Sequence, residues 1–176
     1  DDFGYPVANA SISIIRSGSP VKVFTGLTSD DGSALIPRIT FGDYLVSVEP
    51  ANKSLYTSYN GILRIDRQEV VLRINRTLQP VSIQLIDPIS SRPIAPLRIT
   101  IYVEDRPLYS VDINASARLV NTSIPFGNAR IVVEPLQQSQ QIYSRVEVSK
   151  RIEPGGARLE ITLVRRIHEI TLKIVN

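Results

Sequence analysis

Cysteine, methionine and tryptophan are absent from the 176 residues, and there is a single histidine. Without cysteine the chain cannot form a disulfide, present a thiolate nucleophile or hold a metal through sulfur, and one histidine is too few for the usual zinc constellations. No run of 18 apolar residues occurs, so no helix can span a bilayer, and no signal-peptide pattern opens the chain. Twenty Lys and Arg oppose 17 Asp and Glu, leaving a net charge of +3. The basic residues are scattered through the chain instead of forming a stripe, which argues against a nucleic-acid groove. His168 has only Glu169 beside it and no placed Ser or Asp partner, so it reads as a solvated or interface residue. The chain is read as non-catalytic, with no cofactor and no metal. Asp30-Asp31-Gly32 reads as a turn former in preference to a calcium site. Arg64-Ile65-Asp66-Arg67 and Arg165-Arg166 read as solvated strand ends, and Leu136 to Gln141 as an exposed polar loop.

Against these absences, 43% of the residues are hydrophobic, enough for one core or for two small domains. The apolar residues are mostly Val, Ile and Leu in period-2 runs separated by Gly, Pro, Asn and Ser, and no window keeps a helical stripe. The chain is all-β. Strands are predicted near 7–16, 22–29, 33–39, 44–50, 58–66 and 69–76 in the first half. In the second half they are predicted near 80–87, 96–104, 108–115, 117–124, 129–136, 143–150 and 157–165, with one more near 167–175.

Five of the seven Asn that are followed by two residues open an Asn-x-Ser/Thr triplet: Asn9, Asn52, Asn75, Asn114 and Asn121. With 27 Ser and Thr in the chain, chance gives about one. The excess points to N-linked glycans and an extracellular, cell-surface location. An Asp1-Asp2 opening fits a processed, secreted product, and the lack of oxidisable Cys and Met together with 16 Arg fits a hot or oxidising setting.

The two halves repeat each other. Ile39-Thr40-Phe41-Gly42 through Glu49-Pro50 matches Ile124-Pro125-Phe126-Gly127 through Glu134-Pro135 at a constant offset of 85. Pro6-Val7-Ala8 followed by Ile12 and Ile14 matches Pro93-Ile94-Ala95 followed by Ile99 and Ile101 at an offset of 87. These pairs predict two tandem β-sandwiches, with Val7, Ile12 and Ile14 opening the first.

The segment Thr25-Gly26-Leu27-Thr28-Ser29-Asp30-Asp31-Gly32, followed by Gly42-Asp43-Tyr44-Leu45-Val46-Ser47-Val48, resembles the signature of carboxypeptidase-regulatory-like domains. These share a transthyretin-like, Ig-like sandwich with the B repeats of bacterial collagen adhesins. The second half departs from that signature at Asn114-Ala115-Ser116-Ala117 and at Ala129. The resemblance implies seven-stranded sandwiches used in adhesins, stalks and accessory domains, without catalysis.

A complete unit of this kind begins with a strand before the Pro-Val/Ile-Ala turn. The second half has it in Val81-Ser82-Ile83-Gln84-Leu85-Ile86, whereas in the first half its place falls before Asp1. Conversely, Val70, Leu72, Ile74, Arg76, Leu78, Val81, Ile83 and Leu85 match Leu159, Ile161, Leu163, Arg165, Ile167, Ile170, Leu172 and Ile174 at a constant offset of 89. The end of the chain therefore repeats the first strand of a unit. The expectation is an incomplete acceptor sandwich over 1–77, a complete sandwich over 78–166 and a donor strand over 167–176, with Ile170, Leu172 and Ile174 as its apolar face. Such a chain would polymerise head to tail with copies of itself by donor-strand complementation, and it resembles the threads and pili of archaeal surfaces. Three other arrangements are a strand folding back on its own first domain, a donor formed by Asp1 to Tyr5, and a fragment of a longer repeat protein. The alternative function is a monomeric adhesive or accessory binding module.

Overall fold

The computed structural model describes residues 1–167, and Ile170, Leu172, Ile174 and His168 lie outside them. The described residues contain eleven strands and one 3-10 turn, Gln137–Ser139. The chain divides into two compact units, the first Asp1–Thr77 and the second beginning at Leu78.

In the first unit, β1 (Ser11–Arg16), β2 (Lys22–Leu27), β3 (Gly42–Glu49) and β4 (Tyr59–Ile65) form one antiparallel sheet in the order β2-β1-β3-β4. Alternation along β1 and β3 sends Ile14, Tyr44, Val46 and Val48 into the core, where Ala10 and Ile65 join them. Ile12 and Val7 are half-buried against that cluster.

The second unit has two sheets. β6 (Leu97–Val103), β7 (Arg106–Ile113), β9 (Gly127–Pro135) and β10 (Val146–Ile152) form the order β10-β9-β6-β7. β5 (Leu78–Ile86), β8 (Leu119–Pro125) and β11 (Ala157–Thr162) form the order β11-β5-β8. The inward residues Ile99, Ile101, Ile131 and Val133 of the first sheet and Ile83, Leu85, Leu159 and Ile161 of the second are buried, as in a two-layer sandwich.

The four-stranded sheets are the same structure twice. Ile14 pairs with Val46 in the first unit as Ile101 pairs with Ile131 in the second, and Ile12 with Val48 as Ile99 with Val133. Both Phe-Gly turns enter the third strand through a glycine at positive φ, +155° at Gly42 and +135° at Gly127, a region that side chains disfavour.

The three-stranded sheet has no counterpart in the first unit. Segments 33–39 and 69–76, read as strands from their apolar pattern, form no ladder; only Arg76, in an isolated bridge with Tyr56, makes a β contact. A strand pattern becomes a strand only when a neighbour supplies its hydrogen bonds, and among the described residues none runs between these two segments.

Candidate functional site

The unpaired segments of the first unit correspond to the two flanks of β5 in the second. Shifting β8 back by 85 places it on residues 34–40, and shifting β11 back by 89 places it on 68–73. In the second unit β5 lies between them, parallel to β11 and antiparallel to β8, with Val81, Ile83 and Leu85 buried.

The exposure of the apolar residues differs between the matching segments. Val120 is 7% exposed beside β5, while its counterpart Leu35 is 89% exposed. Leu159 is 7% exposed and its counterpart Val70 is 38% exposed. At the other end of the segment the difference vanishes, because Ile74 is buried like Leu163. Ile36, Ile39 and Leu72 lie between these extremes, half-buried against the core. The apolar residues are thus exposed at Leu35 and Val70 and buried at Ile74.

An Asp–Arg ion pair is repeated in the two units. In the second unit the Asp87 carboxylate accepts hydrogen bonds from Arg165 Nε and Nη2 at 2.8 and 2.9 Å, from the Tyr143 hydroxyl at 2.6 Å, and from the amides of Ile89 and Ser90 at 2.8 Å each. Burial pushes this carboxyl up, but those hydrogen bonds, led by Arg165, outweigh it and hold the group well below the usual carboxylate range. Burial also raises the Tyr143 hydroxyl, and its bond to Asp87 adds to the effect.

In the first unit Asp1 occupies the equivalent place. Its Oδ2 accepts from Arg76 Nε at 2.7 Å, and its Oδ1 accepts from the amides of Phe3 and Tyr5 at 3.0 Å each. The Arg76 guanidinium also lies 4.6 Å from the centre of the Phe3 ring. Arg76 bridges Tyr56 as Arg165 bridges Tyr143. The Thr57 amide donates to the Asn75 carbonyl at 2.9 Å and the Thr77 amide to the Leu55 carbonyl at 2.8 Å. The Thr77 hydroxyl donates to the Ser54 carbonyl. Residues 74–77 are thereby pinned while 69–73 are not.

These clamps correct one expectation: Arg165 is no solvated strand end, since it holds the buried Asp87. The clue in the sequence was the repetition of Asp1 and Asp87 together with Arg76 and Arg165. Ser139 likewise is buried, not part of a wholly exposed loop, because its hydroxyl donates to the Pro96 carbonyl at 2.6 Å.

Asp31 forms a local turn. Its Oδ1 accepts from the Ser29 hydroxyl at 2.5 Å and the Ser33 amide at 2.9 Å. The Ser29 hydrogen bond leads the causes that lower its pKa to about 2. Among the described residues no group of three His, Cys, Asp or Glu is placed to hold a metal, and no helix is long and apolar enough to cross a membrane. Asn9, Asn52, Asn75, Asn114 and Asn121 are all exposed. Asn75 sits between the buried Ile74 and Arg76.

No family model and no curated protein matches the chain. Among solved structures it is similar to the Bacillus anthracis TIE protein, with 15% identity, a TM-score of 0.48 and coverage of 92% of this chain and 31% of that one. The chain thus spans about a third of the length of that protein. It is also similar to the shaft pilin SpaA from Lactobacillus rhamnosus GG, with 10% identity, a TM-score of 0.40 and coverage of 94% and 91%.

Proposed function

We propose that the first unit is a strand acceptor and that its occupant is residues 170–175 of a second copy, making the protein a structural subunit of an extracellular, glycosylated filament. One observation carries the reading. Segments 34–40 and 68–73 of the first unit, which match the flanking strands β8 and β11 in sequence, form no ladder, and residues 170–175 repeat the sequence pattern of β5, the strand between those flanks in the second unit. Ile170, Leu172 and Ile174 match Val81, Ile83 and Leu85 of β5 in sequence at the offset of 89.

Each of those three side chains, if fully buried, contributes about 1.5–3 kcal/mol. Ladder hydrogen bonds add register, and lost translational freedom offsets part of the gain. Donor and acceptor lie at different places on one molecule, so the contact is heterologous and propagates into an open filament. The five exposed Asn-x-Ser/Thr sites support a surface location and N-linked glycans. No role in catalysis is assigned.

The test is removal of residues 170–176. The full chain is expected to assemble, the shortened chain to remain monomeric, and a peptide of residues 168–176 to bind the shortened chain. Assembly that persists without those residues refutes the proposal. A full chain that stays monomeric also refutes it and favours an adhesive or accessory module.

A further inference from the structure

The β5 ladder, carried onto the first unit, gives the incoming strand a direction, a register and an ion pair that the second unit does not have. Ile83 of β5 lies opposite Leu159 on the parallel side and opposite Val120 on the antiparallel side. The matching residues are Leu172 for Ile83, Val70 for Leu159 and Leu35 for Val120.

The same correspondence changes a polar contact into a charged one. Arg158 Nη2 donates to Gln84 Oε1 at 3.2 Å, from the flanking strand to the central one. Position 158 corresponds to Glu69 and position 84 to Lys173. The cationic arm moves to the central strand and the acceptor to the flank, so the combined reach shortens by only one bond while the neutral acceptor becomes a carboxylate. Glu69 is exposed and makes no ion pair among the described residues.

We propose that the neighbouring copy's strand seats parallel to residues 68–73, with Leu172 between Leu35 and Val70 and with Lys173 paired to Glu69. This rests on the strand-acceptor reading above. Apolar alternation alone does not choose this register, because a slip of two residues preserves it. The polar residues do choose. In one slip Lys173 takes the place of Val175, opposite Arg73, and His168 enters the apolar position of Ile170. In the other slip Asn176 enters the buried position of Ile174.

The absence of cysteine makes the register measurable in the full-length chain. Directly opposed antiparallel residues have Cβ atoms about 4.5–5.5 Å apart, within reach of a disulfide after small adjustment, whereas diagonal neighbours are about 7–8 Å apart. Three double variants are oxidised under assembly conditions: Leu35→Cys with Leu172→Cys, with Ile170→Cys, or with Ile174→Cys. Covalent multimers are expected on denaturing gels from the Leu172 pair and not from the other two. Lys173→Glu is expected to weaken assembly about fivefold, and Glu69→Lys with Lys173→Glu to restore it.

Covalent multimers from the Ile170 or Ile174 pair, with none from the Leu172 pair, overturn the register while leaving the acceptor reading intact. Lack of rescue by the charge swap overturns the ion pair. Failure of the unmodified chain to assemble, or a cross-link confined to single chains, overturns the acceptor reading itself.

Discussion

Leu35→Ala separates a subunit's own stability from the strength of its junction. In the subunit Leu35 is 89% exposed, so trimming it removes almost no buried surface and shifts stability by no more than about 0.5 kcal/mol. With a donor strand seated as proposed its environment becomes that of Val120, and the three lost carbons remove about 2–2.5 kcal/mol of burial, before any cavity cost. At 1.4 kcal/mol per tenfold, the critical concentration for assembly rises by about 30- to 60-fold. The two quantities are read from thermal melts below the critical concentration and from sedimentation above it. Val120→Ala supplies the contrast, because that side chain is already 7% exposed within its own unit and its loss lowers the melting temperature with or without assembly. A Leu35→Ala subunit that melts early, or that assembles as well as the parent, refutes the reasoning.

Three further outcomes follow from the geometry. Gly156 has φ of +92°, and a Cβ there would lie 2.0 Å from the Pro80 carbonyl oxygen. Gly156→Ala is therefore expected to destabilise the second unit by about 2 kcal/mol or more and to leave the first unit's transition in place, as read by denaturant unfolding followed residue by residue. The Asp87 carboxyl is held below its ordinary value in the folded state. Its contribution to stability is thus fully present above the unfolded value of about 3.9 and is lost as pH falls toward the folded pKa. Asp87→Asn should lower stability at neutral pH and flatten the acid slope of the melting temperature; an unchanged slope contradicts the clamp. Mass spectrometry of native material should show glycan increments at peptides bearing Asn9, Asn52, Asn75, Asn114 and Asn121, and bare peptides at all five exclude the glycan assignment.

The repeat was legible because the turns and inward residues of both halves obey the same constraints. Phe-Gly entry into β3 and β9 and the alternation Ile12, Ile14 against Ile99, Ile101 carry straight into matching ladders. Apolar alternation over 33–39 and 69–76 misled as to strand formation, since a side-chain pattern records which face should be covered and carries no information on whether a neighbour is present to accept the backbone hydrogen bonds. Arg165, read as a solvated strand end, differs for another reason. A charged residue near a strand end looks solvated until its partner is placed, and Asp87 lies 78 residues away along the chain. The polar register residues Glu69 and Lys173 emerge only when the observed Arg158–Gln84 contact is carried back onto the sequence.

Amide hydrogen exchange of the subunit before and after assembly tests the central claim most directly. In the subunit, the amides of 34–36 and 69–73 should exchange rapidly while those of β1 and β3 are protected, because no ladder holds the former. In the assembled state, alternate amides of both segments should become as slow as their counterparts in β8 and β11. Protection already present in the lone subunit, or none gained on assembly, contradicts the account.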